Sequence, residues 1–249
     1  MLFGEVDFMQ RFGAAAKSGF KAVEYMFPYD YDKQGLAREL AVNGLKQVLH
    51  NLPAGDWAAG ERGIACHPKR VAEFEDGVER ATEYATTLGC AQVNCLAGIK
   101  PPEVTDDAAH LTFVRNLQHA ATRLKAAGIT LLIEAVNTKD VPGFFLSSSA
   151  QAHDVIAAVG SDNLFFQYDV YHMRMMGEDV NETLERSLPV VGHIQVADVP
   201  GRHEPGSGTI DYDALFGLLD RAGYEGWVGC EYKPEGRTED GLRWAKLYL

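Results

Sequence analysis

The chain has no basic excess, no closely paired cysteines and no long apolar run. Its 249 residues carry 23 Lys and Arg against 35 Asp and Glu, a formal net charge of −12. Proteins that grip a phosphate backbone present basic surfaces, so this balance argues against a nucleic-acid partner. The four cysteines, Cys66, Cys90, Cys95 and Cys230, form no C-x-x-C pair. That disfavours a zinc knuckle or a dithiol redox site and leaves buried thiols in a reducing compartment as the expectation. No stretch reaches the roughly 18–20 apolar residues of a membrane span, so no membrane partner is expected. Met1-Leu2-Phe3-Gly4-Glu5 contains no basic region leading into an apolar stretch. It does not resemble a signal peptide, and the expected location is cytoplasmic. A glycine-rich phosphate turn after the first strand-like run is also lacking, which counts against a doubly wound dinucleotide fold.

What the chain does have is alternation. Helical patterns cover about 5–18, 33–42, 68–88, 106–127, 148–159, 179–187, 212–222 and 238–249. Gly19, Gly89, Gly128, Gly160 and Gly223 follow five of them, where a left-handed residue commonly ends a helix. Strand-like runs lie at about 22–25, 46–50, 92–95, 130–135, 165–169, 193–196 and 228–232. Eight helices alternating with seven continuous apolar strands predict a parallel sheet covered by helices, an α/β (β/α)8 TIM barrel in one domain, 1–249. Only Met1-Leu2-Phe3 precede the first helix, so the first strand is expected to be truncated or missing.

Four of the apolar runs in the second half end on an oxygen-bearing side chain: Glu134, Asp169, Gln195 and Glu231. Their spacings of 35, 26 and 36 residues are close to one strand-plus-helix unit of roughly 30. Side chains at the carboxyl ends of successive parallel strands converge, and three carboxylates with one amide make a hard-cation site. Oxygen-only ligands favour Mg²⁺ or Mn²⁺ over zinc. Each residue also has a structural reading: an ion pair with a barrel lysine or arginine for Glu134, an ion pair with Lys233 for Glu231, a helix cap for Asp169, a satisfied buried amide for Gln195. His172, three residues after Asp169, suits a substrate-touching imidazole, and His193 could instead be an inward residue of a lower barrel layer. The glycine- and proline-rich loop from Asp198 to Gly208 carries Arg202 and His203. A planar guanidinium can take two carboxylate oxygens at once, although a surface arginine is the plainer reading. Asn94 at a strand end and Lys139 in the loop after Glu134 complete the substrate-contact candidates.

The set Glu134, Asp169-x-x-His172, Gln195 and Glu231, with the loop Pro200-Gly201-Arg202-His203-Glu204-Pro205, resembles the xylose-isomerase-like barrels, and within them the hydroxypyruvate isomerases. Phe20-Lys21-Ala22-Val23-Glu24-Tyr25-Met26-Phe27-Pro28-Tyr29 is similar to that family's second strand. The resemblance implies that Glu134 and Glu231 are both metal ligands and the two proton-transfer groups. It implies a small oxo-acid substrate held by Arg202 and His172, isomerised through an enediolate. A 2-oxo-tetronate isomerase would share every residue named. A ketose 3-epimerase usually carries histidine where this chain has Gln195, and abasic-DNA endonucleases of the superfamily resemble histidine-rich multi-zinc sites in a basic groove. A non-catalytic sugar-acid-binding barrel is the reading from another class, since fold alone does not fix function. The sequence leaves the metal, the substrate's chain length and the oligomeric state open, and a homo-oligomer is compatible with it.

Overall fold

A computed structural model describes residues 1–249, apart from the side chain at position 247. The elements run α1 (Phe8–Lys17), β1 (Ala22–Glu24), α2 (Lys33–Asn43), β2 (Lys46–Asn51), α3 (Val71–Leu88), β3 (Gln92–Cys95), α4 (Asp106–Ala126), β4 (Thr130–Glu134), α5 (Ser149–Val159), β5 (Leu164–Asp169), α6 (Val170–Met175), α7 (Val180–Ser187), β6 (Val191–Val196), α8 (Tyr212–Ala222) and β7 (Val228–Cys230). Short 3-10 turns lie at Pro68–Arg70 and Leu188–Val190, with a longer one at Thr238–Leu247.

The seven strands are parallel and ordered β1 to β7, a nearly closed barrel with the helices outside. Among the described residues no strand pairs β1 with β7, so the barrel is open along that seam. Among the described residues no helix is long and apolar enough to cross a membrane.

The period-2 alternation of a strand sorts the residues into two environments. On the outer face Leu131, Ile133, Phe166, Ile194 and Val196 join the helices in one large core. On the inner face Leu132 packs with Leu49 and Phe165 to plug the lower barrel. Two residues further along the same face come Glu134 after Leu132, and Gln167 then Asp169 after Phe165. Strand register does the rest: Glu134 lies opposite Gln167, and Asp169 opposite Gln195. The polar layer therefore sits directly above an apolar one.

Three differences from the sequence reading have local causes. Helix α1 begins at Phe8 rather than near Glu5, with Asp7 in an extended N-cap conformation. The final helical pattern folds as a 3-10 turn, and Gly241 lies inside it. The sequence carries no signal for helix α6, because Val170–Met175 is too short to show a helical period. It starts where the Asp169 side chain accepts a hydrogen bond from the His172 N–H at 3.0 Å.

The loop after β2 is pinned to the loop after β3. The Cys66 N–H donates to the Ala97 carbonyl at 2.9 Å, and Gly63 sits at φ +119° against Leu96 and Gly98. A Cβ at Gly63 would press on the Leu96 carbonyl and the Gly98 amide, both backbone. Gly63→Ala should therefore cost about 2–4 kcal/mol in urea unfolding, strain and overlap adding. A loss below about 0.5 kcal/mol, the range of an ordinary surface change, would show that this loop yields freely.

Candidate active site

At the carboxyl end of the barrel, ligand atoms of Glu134, Asp169 and His172 lie within 4.8 Å of one another, all three buried. Glu134 accepts a hydrogen bond from Asn94 Nδ2 at 3.1 Å, and Asn94 Nδ2 also donates to Asn51 Oδ1 at 3.2 Å. Glu231, just past the end of β7, joins through Arg202: Nη2 donates to Glu231 Oε2 at 2.8 Å and to Asp169 Oδ2 at 3.3 Å. Arg202 Nε also donates to the Glu231 carbonyl at 3.3 Å, and the guanidinium lies 4.8 Å from the centre of the Tyr171 ring. Arg202 holds a left-handed φ of +59°, a conformation that costs a non-glycine residue roughly 1–2 kcal/mol. Such strain concentrates at functional sites.

The arrangement is electrostatically loaded. Burial, then the charges of Glu231 and Asp169, push the Glu134 carboxyl well above its ordinary range. Burial also raises Asp169 and Glu231, against the pull of Arg202. The His172 imidazole is driven down to about 3 by burial and then by Arg202, so it is neutral. Ionised, the three carboxylates carry −3 and the guanidinium +1, leaving a formal −2. Asn94 Oδ1 and Gln167 Oε1 are buried nearby with no hydrogen-bond partner. Excess charge of −2 with orphaned amide oxygens is a donor set that suits a hard divalent cation.

Gln195 is placed differently from its carboxylate neighbours. Its Nε2 donates to Glu24 Oε1 at 2.8 Å, and its carbonyl oxygen accepts from Gln167 Nε2 at 2.6 Å. An amide oxygen has two lone pairs, so one remains after the Gln167 contact. Glu24 also meets His193 Nε2 at 2.6 Å. Burial opposes the Glu24 charge, yet His193 and the Gln195 amide together hold its carboxyl below the usual range. His193 is thus an inward residue of the lower layer.

The remaining candidates divide cleanly. His203 is not brought to the cluster: its Nδ1 lies 2.7 Å from the Lys233 carbonyl. Lys139 is exposed, and only its backbone N–H contributes locally, donating to Asn137 Oδ1 at 3.1 Å. The ion-pair partner of Glu231 is Arg202, not Lys233. Sequence reasoning passed over Glu24, Gln167 and Asn137. Gln167 carried a readable signal, since it sits two residues before Asp169 and so shares its face. Glu24 had only its place in Ala22-Val23-Glu24, where a strand-end carboxylate reads equally well as exposed. A cavity of about 1090 Å³ joins Glu134, Gln167, Gln195 and Glu231 to the open seam and to Phe27 and Trp57, whose rings lie 5.0 Å apart.

The profile of the xylose isomerase-like TIM barrel family matches residues 12–248. Over 248 residues the chain is 52% identical to the hydroxypyruvate isomerase of Escherichia coli, covering 100% of this chain and 96% of that one. It is 44% identical over 249 residues to a 2-oxo-tetronate isomerase of Cupriavidus necator, again covering 100% and 96%. The crystal structure of an AP endonuclease, family 2, from Brucella melitensis superposes with a TM-score of 0.97 at 43% identity, covering 99% of this chain and 95% of that one. The chain belongs to the xylose isomerase-like TIM barrel family.

Proposed function

We propose that the protein is a metal-assisted isomerase that converts hydroxypyruvate to 2-hydroxy-3-oxopropanoate (tartronate semialdehyde). The observation that carries this reading is the pair of carboxylates, buried Glu134 and half-buried Glu231, facing one cavity with Arg202 between Glu231 and Asp169. The reaction takes a proton from C3 of the substrate, passes through an enediolate and returns a proton to C2. The hydroxyl proton moves from O3 to O2, so atoms balance without a co-reactant. Such a path needs a base at one carbon and an acid at its neighbour, exchanging roles on reversal. Burial raises both carboxyls, which lessens the cost of keeping a proton on either one. Glu134, Asp169 and Glu231 would hold a divalent cation, with the free lone pair of Gln195 as the fourth donor. When bound, the cation supplies charge stabilisation for the oxygens that become negative. Mg²⁺ or Mn²⁺ suits oxygen ligands.

Arg202 supports an acid rather than a neutral sugar. Among the described residues its Nη1 has no protein acceptor, which leaves one arm of the fork for a substrate carboxylate. Arg202→Ala should raise KM for the oxo-acid about 10–100-fold, the worth of a charged hydrogen bond of about 1.5–3 kcal/mol. Arg202→Lys should recover little of it, because a point charge does not reproduce the fork. Steady-state kinetics on the two variants decide this, and an unchanged KM in both would remove Arg202 from the substrate's carboxylate.

The names of the relatives bring two other readings. A 2-oxo-tetronate isomerase shares the site chemistry on a substrate one carbon longer. The endonuclease reading fits poorly with a net charge of −12, which repels a phosphate backbone. The direct test incubates purified protein with Mg²⁺ or Mn²⁺ and hydroxypyruvate, 2-oxo-tetronate or a ketose, following products by proton NMR in D₂O. Turnover of hydroxypyruvate with deuterium entering C2 is the expected result. No conversion of any candidate would leave the binding-barrel reading in its place.

A further inference from the structure

The loop after β4 carries a hydrogen-bond arrangement that decides what His172 can do. Asn137 is fully buried, and its amide orientation is fixed on both sides. Its Oδ1 accepts the N–H groups of Lys139 at 3.1 Å and Asp140 at 2.8 Å. Its Nδ2 donates to Asp140 Oδ2 at 3.1 Å, an oxygen that also accepts from the Tyr171 hydroxyl at 2.8 Å. Turning the amide over would set an oxygen against the Asp140 carboxylate and an NH₂ against two N–H donors. With the amide fixed, the second Nδ2 proton points at His172 Nδ1, 2.7 Å away, and the Asn137 backbone N–H approaches the same nitrogen at 3.3 Å. Two donors on one ring nitrogen require that nitrogen to be the acceptor. The single proton of the imidazole must then reside on Nε2.

Nε2 faces the cluster. It lies 3.8 Å from Glu134 Oε1 and 3.8 Å from Asp169 Oδ2, too far to be committed to either as a hydrogen bond. A protonated Nε2 has no lone pair for a cation, although His172 is otherwise close enough to count among the ligands. We propose that Asn137 is a positioning residue that holds His172 as the Nε2–H tautomer, making it a hydrogen-bond donor to a substrate oxygen and excluding it from the metal-ligand set. This rests on the isomerase reading for the identity of the acceptor, not for the tautomer. Asp140 and Tyr171 act one step further out, by fixing Asn137. The donor is a neutral N–H aimed at the place where an enediolate oxygen gains charge, and it is oriented before the substrate arrives.

The tautomer is measurable without substrate or metal. Long-range proton–nitrogen spectra of the cation-free protein labelled at histidine nitrogen should show His172 with a pyridine-type Nδ1 and a pyrrole-type Nε2, assigned by loss of its signals in His172→Ala. Asn137→Asp replaces a donor with an acceptor and should move the proton to Nδ1. With that shift kcat should fall by about 10²-fold, the scale for losing one donor to a developing oxyanion, and KM should change by less than about threefold. Asn137→Ala keeps the backbone donor, so the Nε2–H form and a kcat within about tenfold of wild type are expected. Mn²⁺ affinity of His172→Ala should stay within about threefold of wild type, where loss of a true ligand would cost far more.

A wild-type spectrum with the proton on Nδ1 overturns the proposal. So does an Asn137→Asp variant that loses turnover with its tautomer unchanged, since that marks a merely structural role, and so does a greater than tenfold loss of Mn²⁺ affinity in His172→Ala. Failure of the isomerase reading shows separately, as wild-type protein that turns over no oxo-acid while its spectra and Mn²⁺ titration stand.

Discussion

Glu134→Gln and Glu231→Gln should each lower kcat by about 10²–10⁴-fold, the contribution of a positioned general acid or base. The amide keeps the shape of the side chain and one metal-facing oxygen but cannot exchange a proton. The two variants should differ in stability. Burial, and then the charges of Glu231 and Asp169, push the Glu134 carboxyl upward, so Glu134→Gln removes both penalties and should raise the Tm of the cation-free protein. Glu231→Gln loses the 2.8 Å pair with Arg202 and should lower it. Exchange of the substrate's C3 proton with D₂O, followed by NMR, separates the roles: a variant that still exchanges C3 but forms no product has lost the group that serves C2. Retention of more than about a tenth of wild-type kcat in both would put proton transfer on other groups.

The second large effect is on stability against pH and cation. Glu134, Asp169 and Glu231 all have carboxyls raised in the folded protein, with burial the first cause in each case. Between the unfolded carboxylate range, near pH 4, and those raised values the folded state binds more protons than the unfolded one. Stability of the cation-free protein should therefore fall as pH rises through that window. A divalent cation selects the ionised carboxylates, so binding should release protons and its stabilisation should grow with pH. At a concentration of about 100 Kd the gain is about 2.7 kcal/mol. Thermal unfolding from about pH 5 to about pH 8, with and without Mn²⁺, reads both slopes, and chelation should abolish turnover reversibly. A Mn²⁺-induced shift in Tm that is the same at both ends of the range would mean that these carboxylates are not the ligands.

Much of this site could be read from the chain, and the reason is geometric. A strand alternates faces every residue and ends where its polar residue meets the barrel mouth, so Glu134, Asp169 and Gln195 were placed by pattern alone. Arg202 was legible for its residue type in a glycine- and proline-rich loop, but not for its partner. Lys233 is the nearer basic residue to Glu231 in sequence, and the fold instead lays Arg202 across Glu231 and Asp169. The cap reading of Asp169 holds without removing its carboxylate from the cluster: it caps α6 through Oδ1 and faces the cluster through Oδ2. His203 shares the Arg202 loop and Lys139 follows Glu134 in sequence, yet loop geometry turns His203 to the Lys233 carbonyl and leaves Lys139 at the surface.

The sequence by itself determined the barrel class, the strand ends that carry oxygen donors and the acidic charge that disfavours a nucleic-acid partner, because these depend on composition and on periods of 2 and 3.6 residues. Only the tertiary structure decided the hydrogen-bond partners. Glu24 is 171 residues from Gln195, and Asn137 is 35 from His172. Which lone pair faces the site, and which ring nitrogen keeps its proton, follows from contacts between strands and loops that no local pattern encodes. The chain specifies which chemical groups reach the barrel mouth; packing between distant segments fixes their orientation and protonation.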